Sequence, residues 1–210
     1  MFDPFGMYEG AFVMTDRGTG TIWAHLTGEG LAGPLLGRTL DQVPVVTTTA
    51  RAWMDAHPDS SAPDRAVMAP PMDLSPKLGA TTLETISRLD ERLEAHTLVL
   101  GVMAGGRVRA YAMHEGLRLH QDTLGDVPIA LIASDGGYPL AYDRRLAENV
   151  LELRVEAGHV VDQFGTSWSG EGLALIGRDR STRLTFVPSH LSDWFAWSAY
   201  HPDTDIRFPT

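Results

Sequence analysis

The chain contains no cysteine. That absence excludes disulfides, thiolate-ligated zinc, iron–sulfur clusters and a cysteine nucleophile. Positive charge is scarce: 17 Lys and Arg stand against 27 Asp and Glu, a formal net charge of −10. Nucleic acid and anionic membrane are polyanions that repel such a chain, so neither is an expected partner. Long apolar runs are also missing. The most apolar stretch, TLVLGVMAG at 97–105, is too short to span a bilayer. The N-terminal MFDPFGMYEG has neither a basic region nor an apolar one. No secretory signal is visible there, and the expected location is the cytoplasm.

Glycine and proline are plentiful, 21 and 13 of 210 residues, which favours many turns over long helices. The length suits one large domain or two small intertwined ones, with a substantial core.

The chain also resembles itself. LDQVPVVTTTARAWMDAHPD (40–59) aligns without a gap on LTFVPSHLSDWFAWSAYHPD (184–203), with eight of twenty positions identical. Trp53 and Trp197, His57 and His201, and Pro58 and Pro202 are among the identities. Upstream, DRGTGTIW (16–23) faces DQFGTSW (162–168), and TGEGLAG (27–33) faces SGEGLAL (169–175). A repeat this long is no solenoid and points to a duplicated unit. Each copy reads as a strand, a turn opened by Asp16 or Asp162, and a strand carrying Trp23 or Trp168. A Gly-rich connection and a short helix follow. The helix stops at His-Pro, because proline disfavours helical geometry in the residue before it. Thr48 or Thr49 is the expected N-cap of the first helix and Ser192 of the second, with Asp193 in its first turn.

Between the copies, residues 60–79 read as a linker or extended arm. Leu83, Ile86, Leu89 and Leu93 predict a short helix over 81–96. From 97 onward strands dominate, with tight turns at Gly105-Gly106 and 134–137, an apolar strand at 127–133 and an alternating one at 149–155. The expected class is mainly β, a β-rich α+β fold of pseudo-symmetric hairpin-plus-helix units around a barrel- or sandwich-like sheet. The expected organisation is a partial first repeat at 1–60, a linker and short helix at 61–96, and a complete second unit at 97–210, in one compact domain.

Several segments resemble one known family: VLGVMAGGRVRAYAM (99–113), DTLGDVPIALIA (122–133), AYDRRLAENVLEL (141–153), DQFGTSW (162–168) and DWFAWSAYHPDT (193–204). They are similar to the bacterial and archaeal domain-of-unknown-function family 3179. MTDRGTGTIWAHLTGEGLAGPLLG (14–37) with ARAWMDAHPDS (50–60) looks like the same family's hairpin-to-helix half. The chain departs from the family twice. Many members carry a Cys-Pro-Leu-Cys-like segment where SDGG (134–137) stands here, so no thiol-based metal or redox role can operate. Asp135 is either a hard-ligand substitute or the mark of a lost site. The first copy also lacks the strands that precede the second, which looks like a complete unit preceded by a partial one. The resemblance implies a fold and no established activity.

His114, Glu115, His120 and Asp122 form the densest group of nitrogen and oxygen donors, types that suit zinc, iron or copper. A divalent metal is the cofactor such a group would take. Its His-Glu-x5-His spacing differs from the helical His-Glu-x-x-His motif, and Asp122 suits a turn equally well. A second candidate is a cleft lined by His57, His201, Asp16, Asp162, Ser167, Trp23 and Trp168. The plainer reading makes those histidines helix ends, the aspartates turn residues bonding their own backbone, and the tryptophans core. Ser167 has no G-x-S-x-G setting, which leaves a hydrolase elbow unsupported. Asp143, Arg144 and Arg145 form either an ion-pair or anion-binding group or an exposed strand end. Three functions follow, in descending rank: a noncatalytic binding or scaffold module, a metal-dependent enzyme, and a carbohydrate-binding module using exposed tryptophan.

Overall fold

The computed structural model describes residues 1–41, 43–61, 82, 84–114, 116–133, 137–171 and 173–209, the Glu171 side chain excepted. The greater part of the 60–79 arm, Leu83, Glu115 and Asp135 lie outside the described residues.

The N-terminal part forms β1 (Phe2–Tyr8), β2 (Ala11–Asp16), β3 (Ile22–Ala24), β4 (Gly30–Ala32) and helix α1 (Ala50–Ala56). Next come β5 (Leu98–Ala104), β6 (Arg107–Ala112), β7 (Leu119–Leu124), β8 (Val127–Ile132), β9 (Leu140–Asp143), β10 (Arg145–Leu146) and β11 (Asn149–Val150). The remainder is β12 (Leu153–Glu156), β13 (His159–Asp162), β14 (Ser167–Glu171), β15 (Ala174–Gly177), β16 (Arg183–Leu184), β17 (Ser189–Asp193), α2 (Trp194–Tyr200) and β18 (Asp205–Arg207). The chain is mainly β. Its larger sheets run β1-β2-β3-β4, β17-β5-β6-β18, β7-β8-β9 and β12-β13-β14-β15-β16. Each is open-edged among the described residues, so the sheets stack rather than close into a barrel.

Two strands set the stacking. β8 is apolar at every position, and such a run is stable only with both faces covered. Its Ile129 and Leu131 join Leu100, Val102 and Tyr111 in one core. Its Ala130 and Ile132 join Trp168, Leu175 and Leu184 in another. β5 divides likewise: Leu100 and Val102 face the first core, while Val99 meets Trp194 and Trp197 of α2 in a third. The order of layers is therefore α2, the β5 sheet, the β8 sheet and the β14 sheet. The N-terminal sheet sits beyond α2, where Phe195 lies against Gly10 and the Tyr200 hydroxyl donates to the Tyr8 carbonyl at 3.0 Å.

The two hairpins agree in detail. Glu9 and Gly10 join β1 to β2 with φ of 48° and 71°; Ala157 and Gly158 join β12 to β13 with 48° and 82°. Positive φ at both central residues is the type I′ signature, whose twist matches that of paired strands.

Three local expectations differ from the structure. The 149–155 stretch breaks into β11 and β12, because the Leu151 carbonyl turns to accept from the buried Arg144 at 2.6 Å. Helix α2 begins one residue later than Ser192 predicts: Asp193 is its N-cap and makes no side-chain cap bond. None is required, since the first helical N–H groups, those of Trp194 and Phe195, donate to the carbonyls of Thr97 and Ala95. Residues 84–97 run as turns, without helix among the described residues. Their polar groups bond to distant segments instead. Thr85 receives the Glu9 and Gly10 N–H groups, and Arg92 donates to the Thr204 and Pro202 carbonyls.

Candidate functional site

Asp16 and Asp162 occupy equivalent corners and do the same work. Asp162 Oδ1 accepts from the Phe164 and Thr166 N–H groups at 2.9 Å each, and its Oδ2 accepts from Trp168 Nε1 at 3.0 Å. Asp16 Oδ1 accepts from the Gly18 and Thr19 N–H groups at 2.9 and 2.6 Å, and its Oδ2 from Trp23 Nε1 at 2.9 Å. The Thr19 hydroxyl, then Trp23 and the backbone donors, hold the Asp16 carboxyl well below the usual range. Both carboxylates are thus spent on turn and indole. Trp23 and Trp168 are 3 % and 4 % exposed, so their faces are taken up by core packing.

The helix ends are equally alike. His57 and His201 are C-caps with φ, ψ of −133°, 68° and −130°, 65°. Each caps its helix by donating its N–H to Trp53 or Trp197, and each imidazole stacks on that indole at 4.2 and 4.1 Å. Trp53 Nε1 reaches Ser60 Oγ at 2.9 Å; Trp197 Nε1 reaches Thr204 Oγ1 at 3.1 Å. Burial separates the two. Trp197 is fully buried, whereas Trp53 is 48 % exposed and α1 has no buried residue. Each histidine stays with its own tryptophan.

Burial first, and then the neighbouring His190, push His201 down to about 4. An unfolded histidine titrates near 6.5. The neutral imidazole therefore supports the fold fully above about pH 6.5, and that support drains away as the pH falls towards 4. Discounted for partial solvent contact, the loss is on the order of 2 kcal/mol. Melting temperatures of the wild type should fall between pH 6.5 and 4 more steeply than those of His201→Gln. Parallel curves would refute this assignment.

Of the proposed metal group, His114, His120 and Asp122 are among the described residues, and each has other neighbours. His114 Nε2 lies 3.0 Å from the Pro209 carbonyl. Asp122 Oδ2 accepts from Arg109 at 2.7 Å and from the Tyr111 hydroxyl at 2.9 Å. Burial alone would raise the Asp122 carboxyl, but the Thr123 amide, Tyr111 and Arg109 outweigh it and hold the group low. His120 packs edge-on to Tyr111, and burial lowers it despite Asp122. Among the described residues no three His, Asp or Glu side chains form a set that could hold a metal ion. Arg144 is buried and bonded to the Ile129 and Leu151 carbonyls, while Arg145 pairs with Asp143.

A concave surface lies on the outer face of β13, β14 and β15. Ser167 and Ser169 alternate with Trp168 along β14, so they face outward while the indole enters the core. Register places Ser169 opposite Ile176 of β15, and His159 of β13 beside Ser169. Together with Arg178 and Arg180 these residues line a cavity of about 480 Å³. Arg178 is held there by its N–H donating to the Ser167 carbonyl at 2.8 Å. The turn beyond it is pinned by Asp179, which accepts from Ser181 N and Oγ at 3.0 and 2.6 Å. Ser167 and Trp168, singled out in the sequence, belong to this groove. The usable signal was the Ser-x-Ser alternation facing Arg-Asp-Arg across a hairpin.

A family model described as a protein of unknown function (DUF3179) matches residues 2–204. The chain belongs to this family. The DUF3179 match runs through both Asp–Trp hairpins, both helices and the groove. No curated protein and no solved structure matches the chain. Among the described residues, no helix is long and apolar enough to cross a membrane.

Proposed function

We propose that the chain is a noncatalytic binding module whose ligand lies in the groove on the outer face of β13, β14 and β15. The observation that carries this reading is the cavity itself. Its volume, about 480 Å³, is in the range of small-molecule sites, and its polar groups surround an apolar patch at Ile176. The groups that would serve catalysis elsewhere are engaged in structure: Asp16 and Asp162 with turn donors, Asp122 with Arg109 and Tyr111. The metal-dependent reading has less support, since His114 and Asp122 already have other partners. A sugar platform would rest on Trp53, the exposed tryptophan.

The shared bonding of the two hairpins and helix ends supports descent from a duplicated unit. The groove belongs to the second copy. At the equivalent places beside Trp23 the first copy has Ile22 and Ala24, and Ala24 is fully buried.

A thermal-shift screen of small metabolites tests the reading. A ligand of the groove raises the melting temperature of the wild type but not of Ser169→Trp, whose indole would fill the cavity. The two proteins should melt alike without ligand. Equal stabilisation of both, or none of either across neutral and charged compounds, would remove the groove as the site.

A further inference from the structure

We infer that the ligand of this groove bears an oxyanion, a carboxylate or phosphate group, held at the Arg178 side of the cavity. The inference rests on the groove being the binding site and adds the chemistry of what it holds. The outer face of this sheet is rich in donors, with Glu156, Val161 and Ile176 interspersed. Arg154, His159, Ser167, Ser169, Arg178 and Arg183 share it by strand alternation and register. Arg180 lines the same cavity from the adjoining turn.

Arg154 is neutralised locally: it pairs with Glu156 at 2.6 Å and donates to the Asp162 carbonyl at 2.9 Å. Arg178 is different. Its backbone is fixed to Ser167, yet among the described residues its guanidinium has neither a hydrogen-bond nor an ion-pair partner. In a chain of net charge −10, carboxylates are plentiful, and Arg145, Arg92 and Arg17 each have one within 2.7 Å. An unneutralised guanidinium carried on a pinned backbone at the wall of a cavity offers a planar fork that matches an oxyanion in bidentate fashion. The Ser167 and Ser169 hydroxyls and the His159 imidazole supply further donors. Ile176 provides apolar contact for the ligand's carbon skeleton. The cavity's size limits the occupant to a small organic acid or phosphate ester.

Two-dimensional amide NMR of the full chain, titrated at constant ionic strength, tests this. The probes are inorganic phosphate, acetate and neutral glycerol. Phosphate or acetate should shift the amides of 167–169 and 177–180 saturably, and the stronger of the two names the oxyanion. Arg178→Gln should weaken that binding about five-fold or more, the scale of one lost charge-assisted pair, with the melting temperature unchanged. Arg107→Gln, at the start of β6 on another sheet, should leave binding as it was. Shifts reproduced by chloride, or indifferent to Arg178→Gln, would overturn the inference. If a neutral screening hit occupies the groove and is blocked by Ser169→Trp while both anions leave it untouched, the binding module stands and its anion specificity falls. If no compound of either class perturbs these amides, both fall together.

Discussion

Gly101→Ala should lower stability by about 3 kcal/mol or more, beyond the usual range for one added methyl. Gly101 lies in the middle of β5 against α2. A Cβ built there would fall inside the contact radius of Trp197 Cζ3, Cη2 and Cε3. The indole cannot yield. It is fully buried, its Nε1 is bonded to Thr204 Oγ1 at 3.1 Å, and His190 and His201 pack on it at 5.2 and 4.1 Å. For a chain of this size the change corresponds to a fall of about 6–12 °C in melting temperature. A double-mutant cycle separates steric conflict from mere loss of glycine. Trp197→Ala alone is costly, about 3–5 kcal/mol, because it opens a cavity. On that background the extra methyl at position 101 has room and should cost almost nothing. Additive effects in thermal or urea unfolding would show that the glycine is needed for some reason other than the indole.

The second large effect is expected at Asp162. It is 2 % exposed and receives three donors: the Phe164 and Thr166 amides and Trp168 Nε1. Alanine would strand all three, and each buried unpaired donor costs about 1–3 kcal/mol. A total near 4 kcal/mol is expected after partial rescue by water. Asparagine is the sharper probe. Its oxygen can still serve the two backbone donors, but its amide then points N–H groups at the indole N–H. A loss of about 2 kcal/mol is expected, and Trp168→Phe should remove most of that particular conflict. Asp16 also holds two backbone donors and its indole, with the Thr19 hydroxyl besides, but at a more exposed corner where water can replace them, so its alanine variant should rank below Asp162→Ala in urea unfolding. The reverse order would contradict the burial difference between the two hairpins.

How much of this was legible depends on how local each feature is. The continuous apolar run of β8 predicts a strand covered on both faces, because alternation is absent. Asp16 and Asp162 read as turn residues because a short carboxylate can reach its own backbone two to four residues on. The helix stops were legible from His-Pro. By contrast, the helical spacing of Ile86, Leu89 and Leu93 misled, because Arg92 and Thr85 spend their hydrogen bonds on distant carbonyls and on the Glu9–Gly10 turn. The α2 cap was misplaced for the same reason: Thr97 and Ala95 supply from afar what a side chain would have supplied nearby. Trp53 and Trp197 share a motif but not an environment, since a Gly-bearing strand covers only the second. The groove combines both cases. Alternation on β14 put the serines outward, but only the register of β13 and β15 showed that His159 and Arg178 meet them there.

The corner formed by each helix end closes its polar bonds over a span of eight residues: histidine N–H to tryptophan carbonyl, and indole N–H to the hydroxyl seven positions on. Such a corner carries its shape with it. It holds the same angles whether it is pressed into the interior or left in water, so its surroundings are free to drift without the bend being lost. One chain can thus keep the same joint twice, once as an internal wedge and once as an outlying hook, and mutation can rework the second with little penalty to the first.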